Sequence, residues 1–306
     1  MQMARIALTF IKYPLAIGTY YEDAFRQTRH ELITVCPYSG TWIPWKGGIH
    51  LPQKYAIPPD YQIPWEQRNW FSFAQAEELM GHRHIDVWIS IDASYHLLGK
   101  PREALSVWIA TDSHCVDYFQ QRTQADLFFN VHTPYMQPGD IHLPVGYSPR
   151  WHYPVYAEEQ YDVALLGLLY PTRIATMLEM ARRGYRTYLD NGPCLDEARE
   201  LYAKTKIIFS WSSQKDTVAR VWEAMAFNKL LVANRTPDLE WGGRQEDIHY
   251  LGFDTMEEAI AKMEWALSHP DEASLIAQNG HTWVQPHTYL ARVQKIFEVI
   301  GLEARS

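Results

Sequence analysis

Short apolar runs alternating with helical patterns restrict this chain more than any other feature it has. Strand-like runs fall at 4–10, 32–36, 86–91, 105–111, 126–131 and 140–145, and helical spacing at 20–31, 72–80 and 115–123. Runs that are apolar throughout suit strands covered on both faces, so the pattern predicts a mostly parallel sheet with helices on each side. The segment "GYSPRWHYPVYAEEQY" at 146–161 breaks the pattern and has no period of its own. A second series then begins. Its strands are expected at 161–167, 185–189, 206–210, 229–234 and 248–253, and its helices at 172–184, 195–204, 214–227, 255–268, 271–280 and 288–300. The expected fold is α/β with two Rossmann-like, doubly wound domains and a cleft between them, where ligands bind beyond the strand C-termini.

The expected bounds are 1–150 for the first domain, 155–285 for the second and 286–306 for a last helical segment. Tyr289, Val293, Ile296 and Ile300 recur at helical spacing, so that helix has an apolar stripe to bury. An irregular insertion is expected at 37–72. Within it, "TWIPWKGGIHLPQKYAIPPDYQIPWEQRNWF" at 41–71 gathers Trp, Tyr and Pro without helical or strand period. It reads either as a loop packed by its own rings or as an acceptor-side lid, because aromatic rings stack on sugars and bases.

Composition narrows the classes. A net charge of −8 argues against general nucleic-acid affinity, although a local basic groove remains possible. Cys36, Cys115 and Cys194 lie far apart, which indicates neither a disulfide framework nor a zinc site and fits a reducing cytoplasm. No apolar run is long enough to span a membrane, and "MARIALTF" reads as a first core strand without a signal-peptide cleavage pattern.

The densest chemistry lies in "KIIFSWSSQKDTVARVWEAMAF". Ser213 and Asp216 have capping-box spacing, which predicts a helix from about 214. Val218, Val221, Trp222 and Met225 form its buried stripe, and Asp216, Arg220 and Glu223 share the opposite face. Those three read either as a solvated ion-pair ladder or as a binding face. In the second reading the helix N-terminus meets a phosphate and Glu223 meets a ribose diol. A phosphate site would then use Ser213, Lys215, Asp216 and Thr217 on one side. On the other it would use Thr172 as an N-cap and Arg173 at a first helical position, where a cation opposes the helix dipole unless an anion intervenes. In the first domain Gly18 follows the first strand and allows close backbone approach, with Thr19 as a helix cap, or the pair marks a plain turn. Asp92, Asp112 and His114 stand near the ends of buried strands and are acceptor-side candidates for hydroxyl binding or base catalysis. A satisfied structural histidine is the alternative for His114.

"YDVALLGLLYPTR", "LYAKTKIIFSWSS", "ARVWEAMAFNKLLVANRTPDLE", "HPDEASLIAQNGHTWV" and "HTYLARV" resemble, in order and spacing, the second domain of GT-B glycosyltransferases. The resemblance is to the CgeB-like, spore maturation protein group related to the family 4-type enzymes. "TDSHCVDYF" and "LPVGYSPRWHYP" extend it, so that it covers most of 105–295. It implies a GT-B fold whose C-terminal helix returns to the first domain, a nucleoside-diphosphate sugar as donor, and retention of anomeric configuration. By the resemblance Glu223 is the ribose-binding residue. Many members carry another Glu eight residues earlier, where this chain has Lys215, and Asn228 stands where many have Gly. No Asp-X-Asp sequence occurs, so a metal-independent mechanism needing no cofactor is expected, with Arg173, Lys215, Arg220 and the helix N-termini opposing the leaving diphosphate. The acceptor is open between a glycan, a small molecule, a protein and a modified DNA base, and so is the oligomeric state. The competing functions are a GT-B-type nucleotide-sugar epimerase, which would turn over without an acceptor, and a non-catalytic nucleotide or sugar binder, which Lys215 favours.

Overall fold

The computed structural model describes residues 3–43, 48–91 and 97–303. The chain forms two compact units, Met1–Pro144 with Tyr289–Ser306 and Val145–Thr288. Among the described residues no helix is long and apolar enough to cross a membrane.

The first unit is built on strands β1 (Arg5–Thr9), β2 (Glu31–Pro37), β3 (Tyr61–Ile63), β4 (Val87–Ile91), β5 (Leu105–Ala110), β6 (Leu127–Asn130) and β7 (Ile141–His142). They lie in the order β3-β2-β1-β4-β5-β6-β7. Every pairing is parallel, with Ile6 of β1 opposite Leu32 on one side and Val87 on the other. The apolar run "VWISI" is buried along its whole length, as a strand covered on both faces must be. Helices α1 (Ile17–Phe25), α2 (Phe73–Leu79) and α3 (Phe119–Gln124) connect the strands. Ser72 caps α2 through a reciprocal pair of hydrogen bonds with Gln75.

One strand departs from the sequence expectation. The segment at 41–71 is not wholly irregular, since β3 pairs with β2 and extends the sheet. A three-residue strand shows no period, and neighbouring prolines mask it. Its aromatic rings engage each other: Trp42 packs edge-on to Trp65 at 5.8 Å, and Arg68 lies over the Trp65 ring at 4.4 Å. Trp45, in the same expected insertion, lies outside the described residues.

The second unit holds β8 (Tyr161–Leu166), β9 (Thr187–Asp190), β10 (Thr205–Ser210), β11 (Leu230–Asn234) and β12 (Leu251–Phe253), ordered β12-β11-β10-β8-β9 and again all parallel. Its helices are α4 (Pro171–Arg182), α5 (Asp196–Ala203), α6 (Arg220–Ala226), α7 (Met256–Ser268) and α8 (Pro270–Val284). Val163, Leu165, Phe209 and Val232 of the strands bury against Met177, Ile260 and Met263 of α4 and α7, and Phe209 stacks on Phe253. Helix α6 starts at Arg220, not near 214. Asn228 follows it with φ of 56°, a left-handed position that Asn tolerates better than most residues, so the missing Gly costs little there.

The last helix, α9 (Tyr289–Ile300), belongs to the first unit. Tyr289, Val293, Ile296 and Phe297 are its buried stripe. Tyr289 stacks on Tyr20 at 5.3 Å and meets Tyr21 edge-on, while Phe297 packs on Phe25 and His30. His30 Nδ1 accepts from the Ala4 amide, which leaves Nε2 to donate to the Glu303 carbonyl at 2.8 Å. Arg292 Nε donates to the Pro144 carbonyl at 2.8 Å.

Candidate active site

In the second sheet the chain leaves β8 toward β9 and leaves β10 toward β11, so the strand order reverses between β8 and β10. Open parallel sheets bind ligands beyond the strand C-termini at such a reversal. The segments leaving those two strands are 167–170 and 211–219. Gly167 has φ of 140°, and a Cβ there would lie 2.5 Å from Arg220 Nη2. The Arg220 guanidinium therefore packs against Gly167 at the end of β8, where the positive φ favours glycine.

Arg173 sits beside it. Tyr170 is the N-cap of α4 and Pro171 its first residue, so Thr172 is an exposed second residue rather than a cap, and Arg173 is third rather than first. Proline takes the first position because its missing N–H is not needed there. Arg173 is buried, with its guanidinium over the Tyr170 ring. Nε donates to the Trp211 carbonyl at 2.7 Å and Nη1 to the Leu168 carbonyl at 2.8 Å, which ties the two segments together. Burial, and next the nearby Arg220 charge, push its pKa down to about 10.

The expected capping box at Ser213 and Asp216 does not form. The Ser212 amide donates to Asn234 Oδ1 at 2.6 Å, Asn234 Nδ2 donates back to the Ser212 carbonyl at 3.2 Å, and the Thr217 and Thr236 hydroxyls are 2.5 Å apart. These bonds hold 211–219 against the exit of β11 and delay the helix by about two turns, so Asp216 does not share a helical face with Arg220 and Glu223. Ser213 and Lys215 are exposed, whereas Asp216 and Thr217 are buried. Asp216 Oδ1 has no hydrogen-bond partner.

Arg220 and Glu223 occupy the first turn of α6. Arg220 Nε donates to the Tyr202 hydroxyl at 3.2 Å, and burial raises the pKa of that phenol, which keeps it neutral. Glu223 Oε1 lies 3.7 Å from His152 Nε2. Tyr202 and His152 both pack against the Phe227 ring, at 5.4 and 5.6 Å. Neither Tyr202 nor His152 stands out by spacing in the sequence. His152 lies in the aperiodic link, and the clue to Arg220 is the glycine that ends β8.

In the first unit the expected residues fall less tightly together. Gly18 is inside α1, and a Cβ there would run into the Phe10 ring, so packing explains the glycine without a ligand. Thr19 is not the cap either. Ala16 holds that position, and the Thr19 hydroxyl donates to the Tyr13 carbonyl. Asp92 lies outside the described residues. Asp112 and His114 share the turn after β5. Thr111 Oγ1 donates to Asp112 Oδ2 at 2.8 Å, His114 Nε2 is 4.0 Å from Asp112 Oδ1, and buried His114 Nδ1 has no hydrogen-bond partner. The His114 ring meets His132 edge-on at 5.6 Å. Cys115 joins this pair, and the O, N and S atoms of Asp112, His114 and Cys115 lie within 4.8 Å of one another. A tetrahedral zinc holds its ligand atoms roughly 3.3–3.8 Å apart, so the turn would have to close to take such an ion. Thiolate, imidazole and carboxylate together are a mixed donor set that suits a borderline cation such as Zn²⁺, which the isolated cysteines in the sequence do not announce.

Residues 150–298 match the family model described as glycosyl transferase-like. No curated protein sequence matches the chain. Among solved structures, a sucrose-phosphate synthase from Thermosynechococcus elongatus superposes with TM-score 0.62 at 12% identity, covering 97% of this chain and 99% of that one. An α-glucosyltransferase in complex with UDP and a mismatched 13-mer DNA gives 0.65 at 11% identity, with 97% and 100% coverage. HepE from Anabaena in complex with UDP and glucose gives 0.66 at 11% identity, with 97% and 99% coverage. Identities this low speak for the fold alone. The chain is thus a GT-B-fold protein whose residues 150–298 match the glycosyl transferase-like family.

Proposed function

We propose that this protein is a glycosyltransferase that draws its sugar from a nucleoside-diphosphate sugar held by the second unit. One observation carries the reading. Two guanidinium groups, Arg173 and Arg220, converge at the β8/β10 reversal, with the Glu223 carboxylate one helical turn beyond. Two guanidinium groups brought together at a partly buried point, with Asp216 the carboxylate near Arg173, suit a further anion, and a diphosphate followed by a ribose diol meets cations first and a carboxylate second. In this reading the phosphates lie between 172–173 and 213–217. Arg220 and the exposed Lys215 oppose the charge that develops on the leaving group, while Arg173 keeps the two segments together. Glu223 accepts from the ribose hydroxyls. Asp112 and His114 of the first unit serve the acceptor, His114 as the base or hydroxyl ligand.

The UDP bound by the α-glucosyltransferase and HepE structures makes UDP the first nucleotide to try. Retention of configuration, independence of metal and membership of the CgeB-like group complete the proposal. Glu223→Gln should weaken UDP binding about tenfold or more, with an unchanged unfolding midpoint, because a diol bound to a carboxylate loses a charge-assisted bond. Calorimetry checks this, and an unchanged affinity would remove Glu223 from the site. A second reading, a non-catalytic binder, has one observation in its favour: Lys215 at the position expected for a sugar-binding Glu. UDP-glucose hydrolysis or transfer above background would exclude it.

A further inference from the structure

The 148–152 turn at the start of the second unit brings a buried imidazole up to Glu223. Ser148 opens this turn: its carbonyl accepts from the amides of Trp151 and His152, at 3.1 and 2.8 Å. Its own amide donates to His152 Nδ1 at 3.1 Å. An Nδ1 that accepts leaves the proton of the neutral ring on Nε2, the atom 3.7 Å from Glu223 Oε1. Three features make this more than chance proximity. His152 is buried, its ring is fixed edge-on to Phe227, and its tautomer is set by the backbone. Burial also holds the imidazole pKa below its ordinary value, although the nearby Glu223 charge works the other way.

We infer that His152 is a positioning residue for Glu223, holding the carboxylate by a neutral N–H so that it presents an oxygen to the ribose diol; this rests on the donor-site reading above. A separation of 3.7 Å is longer than a hydrogen bond. Contacts of this kind close when ligand is bound, since the carboxylate then has one settled rotamer. A neutral donor suits the task better than a cation. It orients one carboxylate oxygen without neutralising the charge that the ribose hydroxyls seek. Arg220 has a matching support in the Tyr202 hydroxyl, and both supporting rings lean on Phe227. The two polar side chains of the first turn of α6 are thus each backed by a polar ring tip from a different part of the unit.

The experiment is a double-mutant cycle read by UDP affinity and by donor kinetics in the full chain. His152→Phe keeps the ring and deletes the donor. It should weaken UDP about tenfold and raise the donor KM by a similar factor, with kcat falling less. His152→Gln, which can still donate to Glu223, should recover most of that loss. In a Glu223→Gln background, His152→Phe should add little. Three outcomes overturn the inference. The first is full UDP affinity in His152→Phe while Glu223→Gln loses it, which leaves the donor site standing without this support. The second is an equal loss in the Phe and Gln variants, which makes the role one of packing. The third is unchanged affinity in Glu223→Gln itself, which removes the donor-site reading as well.

Discussion

At the scale of single residues, Asp162 shows how the fold takes a charge out of water by meeting it with partners. Asp162 is the second residue of β8 and is buried. It accepts from the Arg186 amide at 2.9 Å, from Arg186 Nη2 at 3.0 Å, and from Lys206 Nζ at 3.0 Å. Burial alone would raise its pKa, but the bonds from Arg186 and Lys206 outweigh it and hold the carboxyl far below the usual carboxylate range. A pKa depressed in the folded state stabilises the fold above the unfolded value of about 4, and that contribution is lost as pH falls toward the folded value. Asp162→Asn should therefore cost roughly 1–3 kcal/mol at pH 7. Urea unfolding at pH 7 and at pH 3 checks this. The gap between native and variant should narrow at pH 3, and an equal gap at both values would mean that the ionised form contributes nothing. Residues of this kind are hard to read in sequence. Asp162 opens an apolar run like many strand-edge carboxylates, and its partners lie 24 and 44 positions away in the chain. Gly167 and Asn228 were more legible, because a glycine closing a strand and an Asn closing a helix imply backbone shape directly.

At the scale of elements, legibility follows how local the cause is. The central strands of both sheets, β1, β4 and β5 in one and β8, β10 and β11 in the other, are plain in the sequence because they are buried almost along their whole length and so are largely apolar, whereas the short β3 is not. The start of α6 was not legible. Local spacing favours a cap at Ser213, but Asn234 and Thr236, about twenty residues on, hold the segment in another course. That displacement leaves Ser213 and Lys215 exposed in the segment that follows β10. Helix α9 was legible by its apolar stripe, although the sequence stripe ended on Ile300 and the buried one includes Phe297. Phe297 is fully buried between the Phe25 and His30 rings of the first unit. Phe297→Ala should destabilise that unit by about 3–5 kcal/mol, since a large aromatic leaves a cavity that rigid neighbours cannot fill. Denaturant unfolding measures it, and a loss below about 1 kcal/mol would show that α9 is not integral to the unit.

At the scale of the whole molecule, each of the two parallel sheets carries its own cluster of polar side chains. The second unit gathers Arg173, Arg220 and Glu223 around one strand reversal, whereas the first unit sets Asp112, His114 and Cys115 on one turn. The sequence carries no Asp-X-Asp, a pattern by which many glycosyltransferases hold a divalent cation against the diphosphate. Under the proposed function the Arg220 guanidinium and Lys215 would supply the neutralisation, since Arg binds phosphate oxygens in pairs where a bare ion would coordinate them. On the proposed function, transfer from UDP-glucose or another accepted donor should keep most of its rate in excess EDTA. Arg220→Ala should then lower kcat by about a hundredfold or more, because the leaving diphosphate loses a charge that it meets most strongly in the transition state. The assay follows released UDP with and without chelator. Loss of activity in EDTA that Mg²⁺ or Mn²⁺ restores would overturn the metal-free mechanism and assign the diphosphate to an ion. Loss that only Zn²⁺ restores, and that Cys115→Ser also produces, would overturn it differently: the turn of Asp112, His114 and Cys115 would be a metal centre, and His114 a ligand rather than a base.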